Sequence, residues 1–175
     1  MNNFKEKTRY RCIILLVCLL LIIPYGISVV SASSSSSSSE WVDTGNQLFK
    51  KEQYDAAIDS YNRALEYNPK NIDAWVGKGA VFVATGDYDA TLNAFDEIER
   101  IDPDYSEIIS CDRGLINFQL GRYEQSIMAY NHALSFTVSH CGKDALINNG
   151  IAFEALGRYK EALSLYDKAI ALYPQ

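Results

Sequence analysis

The sequence predicts an all-α solenoid of four helix-turn-helix repeats, and two observations lead to this fold. First, a set of residues recurs at a fixed spacing of 34 positions, which indicates a repeat architecture. Second, the apolar positions 57, 58, 61, 64 and 65 all fall on one face of an α-helix. Stacked helix pairs bury such faces against their neighbours, so each repeat needs only the next one to complete its core.

The first 32 residues have the composition of a targeting segment. Four basic residues within Lys5–Arg11 precede the apolar run Ile13–Ile23, and a Val-Ser-Ala sequence ends at Ala32. This order is typical of a secretory signal peptide that is cleaved after Ala32. The uncharged run Ile13–Val30 is 18 residues long, close to a membrane span, so an uncleaved signal anchor is the alternative. In both cases we expect the rest of the chain to be exported across the cytoplasmic membrane. It would then lie in the cell envelope or outside the cell, or be anchored facing outward.

A run of seven serines, residues 33–39, separates this segment from the repeats at 40–175. Serine side chains bury little apolar surface, and unbroken serine runs behave as flexible linkers. We therefore expect a poly-serine linker between the membrane-facing segment and the folded domain.

The domain is acidic. From residue 33 onward the chain has 12 basic and 21 acidic residues, which gives a net charge of −9. Phosphate backbones would repel such a surface, and the domain has no stripe of basic residues, so nucleic acid is excluded as a partner.

The repeated positions carry an aromatic residue and a glycine on the first helix, and an aromatic residue, an alanine and a proline later in the unit. In chain order they hold Trp41, Gly45, Tyr61, Ala64 and Pro69, then Trp75, Gly79, Phe95 and Pro103, then Gly114, Tyr130 and Ala133, and finally Gly150, Tyr166, Ala169 and Pro174. Small residues such as Gly45 and Gly79 would let the two helices of a repeat approach closely, and proline would end the second helix.

This signature resembles the tetratricopeptide repeat family, whose unit of 34 residues is a pair of antiparallel helices. The resemblance places the repeats at 38–71, 72–105, 107–140 and 143–175, and it implies a right-handed superhelix. It also implies a non-catalytic scaffold that needs no cofactor and binds a peptide or helical segment of another protein in a concave groove.

In this family the first helix of each repeat lines the groove. The matching positions of this chain are largely apolar, and they are Val42, Asn46, Phe49, Val76, Ala80, Val83, Cys111, Leu115, Phe118, Ile147 and Ile151. The competing interpretation places some of these side chains in the core between repeats, and the sequence is compatible with both.

Two other functions compete with peptide binding. The sequence stops one residue after Pro174, so the last helix would expose an apolar face, which predicts homo-oligomers or a self-assembling structural protein. An enzyme or a metal-binding protein is less favoured, because no acid, base or nucleophile stands at useful spacing and no metal-ligand motif is present.

Two cysteines and an acidic segment complete the sequence-based hypotheses. Cys111 lies early in the first helix of the third repeat and Cys141 just after its second helix. An antiparallel helix pair brings these two places close together. A disulfide is therefore predicted for an exported chain, with free buried thiols as the alternative. Nine acids and one base lie between Asp87 and Asp112. They could dock a basic partner, but a solvated helix face is favoured.

Overall fold

The computed structural model describes residues 34–136 and 141–174, and the predicted signal or anchor at 1–32 lies outside them. The described part contains eight α-helices in four consecutive pairs, together with one short 3₁₀-helix, and is an all-helical solenoid. The α-helices are α1 Ser34–Lys50, α2 Tyr54–Tyr67, α3 Ile72–Thr85, α4 Tyr88–Ile101, α5 Ser106–Gln119, α6 Tyr123–Ala133, α7 Gly142–Ala155 and α8 Tyr159–Leu172. The 3₁₀-helix is Pro103–Tyr105 and precedes α5. None of the described helices is long and apolar enough to cross a membrane.

The first helix of every pair is followed by one residue with positive φ. Glycine takes this place in three repeats, at Gly86, Gly121 and Gly157, with φ between 70° and 78°. In the first repeat the same place is held by Glu52, with φ 59°. A left-handed residue reverses the chain within a short turn, which brings the second helix back antiparallel to the first.

The serine run differs from the predicted flexible linker, because α1 begins at Ser34. Ser38 is completely buried, and its hydroxyl donates a hydrogen bond to the carbonyl oxygen of Ala64 over 2.9 Å. The same hydroxyl accepts from the side-chain amide of Asn71 over 2.8 Å. The Asn71 side-chain oxygen also caps α3 by accepting from the Ala74 N–H. A serine with such partners is a structural residue of the first repeat.

A tyrosine from the second helix packs against glycine on the first helix in three of the four repeats. Tyr61 is buried between Gly45 of its own repeat and Gly77 of the next, and a Cβ atom at position 45 would lie only 2.5 Å from the ring. Tyr130 packs in the same way on Gly114, where a Cβ would lie 2.7 Å from its ring. These glycines are therefore required for space.

Gly79 occupies the same repeat position as Gly45 but does not have this role. A Cβ at position 79 would lie 3.8 Å from the Cβ of Ala94 and 4.0 Å from the Phe95 ring, which are ordinary contact distances. The prediction that glycine sets the close approach of the helices is therefore wrong for the second repeat, where the aromatic ring lies farther from the first helix.

Two separate apolar clusters form the core. One joins α1, α2 and α3 through Val42, Tyr61 and Val81. The other joins α6, α7 and α8 through Ile127, Phe153 and Ala162.

Ion pairs lie at the junction between the second and third repeats. The Arg113 guanidinium pairs with Asp96 over 2.8 Å and with Glu99 over 2.7 Å, which joins α5 to α4. Arg122, the residue before α6, pairs with Asp89 of α4 over 2.7 Å. The Cα atoms of α3 and α5 nowhere come within 8 Å of each other, whereas α1 approaches α3 and α5 approaches α7 within that distance. Ile98 of α4 and Ile116 of α5 are buried, so these two helices carry apolar burial in addition to the ion pairs.

We predict opposite effects for the same substitution at two equivalent glycines. Gly45→Ala should lower the free energy of unfolding by about 2 kcal/mol, because the added methyl group overlaps the Tyr61 ring. Gly79→Ala should leave it unchanged or raise it by up to about 1 kcal/mol, because alanine favours a helix and the site has room. Urea unfolding followed by circular dichroism measures both, and equal effects would contradict the packing described for Tyr61.

We also predict a loss of stability at alkaline pH that depends on Tyr130. The pKa of Tyr130 is raised to about 12, mainly by burial; the Asn148 side chain lowers it, and the Asp112 carboxylate adds to the rise. The unfolded chain releases the tyrosine proton near pH 10, whereas the folded chain holds it up to a higher pH. The stability that the protonated Tyr130 gives the folded chain is therefore complete below pH 10 and is lost as the pH rises towards 12.

Near the upper end of this range the loss should be about 2 kcal/mol in the wild type and smaller in Tyr130→Phe. Tyr67→Phe is the control, because the Tyr67 side chain is half exposed. Urea unfolding across the pH range gives the values. If Tyr130→Phe and Tyr67→Phe lose stability equally, Tyr130 is not the group responsible.

Candidate functional site

Apolar side chains are exposed along the first helices of repeats two to four. On α3, Val76 and Val83 are 48% and 46% exposed, and Ala80 lies exposed between them. On α5, Leu115 is 45% exposed, and on α7, Ile151 is 39% exposed. The positions 76, 80 and 83 fall on one helix face, so these side chains form a stripe that is open to solvent. We name the surface formed by the exposed faces of α3, α5 and α7 the first-helix surface.

Three of the predicted groove residues belong to the core instead. Val42 is only 7% exposed and packs with the core residues of α2 and α3, so its assignment to the groove is wrong. Phe49 is half-buried against the same cluster and contacts the Tyr54 ring at 5.8 Å. Phe118 is half-buried against the second cluster and contacts the Tyr123 ring at 5.3 Å. The burial of these side chains favours the competing interpretation as core residues.

The remaining predicted groove residues are mixed. Asn46 is exposed, but its side-chain oxygen accepts a hydrogen bond from the Tyr61 hydroxyl over 2.8 Å. Ile147 is half-buried, as is Cys111. The first repeat therefore contributes a polar, internally bonded residue to its first helix, and the exposed apolar surface begins at α3.

Two further residues on α5 belong to the first-helix surface, of which Ile108 holds a groove position implied by the family resemblance and Asp112 does not. Ile108 is 56% exposed and Asp112 is also exposed. Together with Leu115 they follow the i, i+4, i+7 spacing of one helix face, and this spacing was the signal in the sequence that could have identified them. Partial burial of the carboxylate raises the pKa of Asp112.

The acidic segment between Asp87 and Asp112 is mainly structural. Asp87 caps α4 by accepting from the Ala90 N–H, and Asp102 accepts from the Asp104 N–H at the start of the 3₁₀-helix. Glu97 pairs with Arg100 within α4. Asp89, Asp96 and Glu99 form the ion pairs at the repeat junction. These acids are held in specific contacts of the described chain, which is more than the solvated helix face that the sequence favoured.

Cys111 and Cys141 are brought together at one end of the third helix pair. Their sulfur atoms are joined in the structure, and their Cα atoms are 6.5 Å apart. Disulfides in proteins usually have Cα atoms about 4.4–6.8 Å apart, so the backbone positions suit a disulfide. The link would tie the start of α5 to the residue that precedes α7.

No metal centre is formed by the described residues. No group of three His, Cys, Asp or Glu side chains lies close enough to hold a metal ion in the described ranges. His132 bonds to the Ser110 hydroxyl through Nδ1 over 2.9 Å and contacts the Phe136 ring. These contacts give His132 a structural role in the third repeat.

Two family models match the chain, and both describe repeats. The first, TPR repeat, matches residues 45–86, and the second, tetratricopeptide repeat, matches residues 105–175. Together they span about two thirds of the sequence and include repeat units from both apolar clusters.

Curated relatives share the repeats over part of their length. The small glutamine-rich tetratricopeptide repeat-containing protein 2 of Mycosarcoma maydis is 28% identical over 120 residues, which cover 69% of this chain and 31% of that protein. The protein CTR9 homolog of Arabidopsis thaliana is 28% identical over 125 residues, which cover 71% of this chain and 11% of that protein. The chain thus spans less than a third of either relative.

A solved structure supports the same fold. The crystal structure of MamA superposes with a TM-score of 0.64 at 22% identity and covers 74% of each chain. At this identity the similarity concerns the fold alone. Proteins of this repeat class generally mediate protein–protein interactions, and the two matching models describe no catalytic domain. The repeat signature, the four helix pairs and the two family models agree that the chain is a tetratricopeptide repeat protein.

Proposed function

We propose that this chain is a non-catalytic scaffold that binds an apolar peptide or helical segment of another protein on its first-helix surface. The observation that carries the proposal is the series of exposed apolar side chains on successive first helices, of which Val76, Val83, Leu115 and Ile151 are the clearest members.

Exposure at these positions is not a general property of the repeats. At the corresponding position of the first repeat Val42 is buried, so valine there contributes to folding. Val76 remains half exposed and contributes much less to the core. Contiguous exposed apolar surface is typical of protein interaction sites. A helix laid along such a surface buries apolar side chains at helical spacing, and an extended peptide buries alternate ones.

The test uses peptides selected from a displayed random library against the 175-residue chain. Val76→Lys and Leu115→Lys should each weaken the binding of the selected peptides by about tenfold or more, because a lysine ammonium would have to be buried in the contact. Fluorescence anisotropy gives the dissociation constants, and circular dichroism shows whether each variant keeps its helical content.

Met128→Lys is the matched control, because Met128 is 71% exposed but lies on α6, which is a second helix. It introduces the same charge and should leave peptide binding unchanged. Unfolding of Val76→Lys and Leu115→Lys would show that these side chains are core residues. Equal weakening by all three variants would contradict the proposed surface.

Self-association is a second candidate, and exposed side chains on α8 favour it. Leu163, Ile170 and Leu172 are 60%, 69% and 58% exposed. Leu163 and Ile170 fall on one face of α8, which a second copy of the chain could cover, as in repeat assemblies that stack end to end. A mass that rises with protein concentration in light scattering, and that falls in Ile170→Lys, would support this role.

We further propose that the repeats are exported and that Cys111 and Cys141 are paired in the native protein. The order of basic, apolar and small residues at 1–32 supports export. The Cα separation of 6.5 Å supports the pairing, and disulfides persist in oxidising compartments outside the cytoplasm.

Reduction should destabilise the chain by about 3 kcal/mol, because the bond closes a loop over a sequence separation of 30 residues. Urea unfolding with and without reductant measures the difference, and Cys111→Ser should reproduce it without reductant. Alkylation of the native protein followed by mass spectrometry should find neither thiol free. Two alkylated thiols in native protein would overturn the pairing.

A further inference from the structure

Three carboxylates on the first helices have no partner within the described part of the chain. Asp73 of α3 and Asp144 of α7 are exposed and make no ion pair or hydrogen bond with a described residue. Asp112 of α5 is likewise without an ion pair, and partial burial raises the pKa of its carboxyl group. The acids of α4 differ, because Asp89 and Asp96 are both paired with arginine.

The unpaired acids lie among the exposed apolar residues. Asp73 precedes Val76 by three positions on α3, and Asp112 lies between Ile108 and Leu115 on one face of α5. Each first helix of repeats two to four therefore has at least one exposed acid on the same helix as its exposed apolar residues. Asp73 and Asp144 hold equivalent repeat positions, whereas Asp112 lies about one helical turn later in its repeat.

A buried hydroxyl on α6 is also left without a partner. Tyr130 is 1% exposed, and its hydroxyl oxygen makes no hydrogen bond with any described residue. Burial and the Asp112 carboxylate of α5 raise the pKa of this hydroxyl, and the Asn148 side chain of α7 lowers it. The equivalent hydroxyl of Tyr61 has a partner within the chain, because it donates to Asn46.

We infer that the partner segment is cationic and amphipathic, with apolar side chains on the exposed stripe and a lysine or arginine placed at Asp112. The inference rests on the proposed function and specifies its ligand. An ammonium or guanidinium group would supply a counter-charge at this carboxylate through a charge-assisted hydrogen bond. Asp73 and Asp144 would receive further basic residues of the same segment. The net charge of −9 after residue 33 would add long-range attraction for such a ligand.

The experiment compares three labelled helical peptides of about 18 residues that share the same leucine positions. Their remaining positions hold lysine, glutamine or glutamate. The leucine–lysine peptide should bind the 175-residue chain most tightly, the leucine–glutamine peptide less tightly, and the leucine–glutamate peptide at least about tenfold more weakly than the first.

Two triple variants separate a specific contact from general attraction. The first variant combines Asp73→Asn, Asp112→Asn and Asp144→Asn. It should weaken the binding of the leucine–lysine peptide by about tenfold or more, at about threefold for each exposed pair. The control neutralises Asp59, Glu66 and Asp167, which are exposed on the second helices α2 and α8, and so changes the net charge equally. It should weaken binding by less than about twofold, because these acids lie away from the stripe.

Several results would overturn the inference. Equal binding of the lysine and glutamate peptides would show that charge is not recognised, while the function as a peptide-binding surface would stand. Equal losses in both triple variants would show that only net charge matters. If no leucine peptide binds but the library-selected peptides do, the ligand is not a cationic amphipath. If neither set binds, the proposed function fails as well.

Discussion

The contact between a tyrosine ring and a glycine backbone determines how closely the two helices of a repeat approach. Tyr61 illustrates it, because its ring lies on Gly45 of the same repeat and on Gly77 of the next, so one side chain fixes both the hairpin and the stacking of two repeats. The buried ring supplies most of the apolar contact, and its hydroxyl extends towards the first helix and donates to Asn46. The spacing of the first helices follows from this contact.

The same contact does not extend through the whole solenoid. In the second repeat Phe95 leaves room beside Gly79. At the next junction ion pairs join the helices, since Arg113 bridges two acids of α4 and Arg122 reaches a third. Ile98 of α4 and Ile116 of α5 are buried as well, so these helices combine ion pairs with apolar burial.

The surface proposed for binding consists of side chains that the core does not use. Because tyrosine and alanine from the second helices complete the packing, the outer face of each first helix is free to carry side chains that do not support the fold. In repeats two to four it carries exposed apolar residues together with acids, as Ile108, Asp112 and Leu115 show on α5. The Tyr130 ring, by contrast, belongs to the core, because it is only 1% exposed.

The sequence by itself determined the all-helical fold and the helix pairs, because local spacing and the 34-residue period depend only on residues near one another in the chain. Tertiary structure decided which side of each helix is covered. Val42 and Val76 occupy equivalent positions in sequence, yet one is buried and the other exposed. Ser38 is helical because Ala64 and Asn71 supply its hydrogen bonds from distant positions. Burial and hydrogen bonding depend on neighbours that only the folded chain brings together, and the spacing of residues along the chain does not predict which neighbours these are.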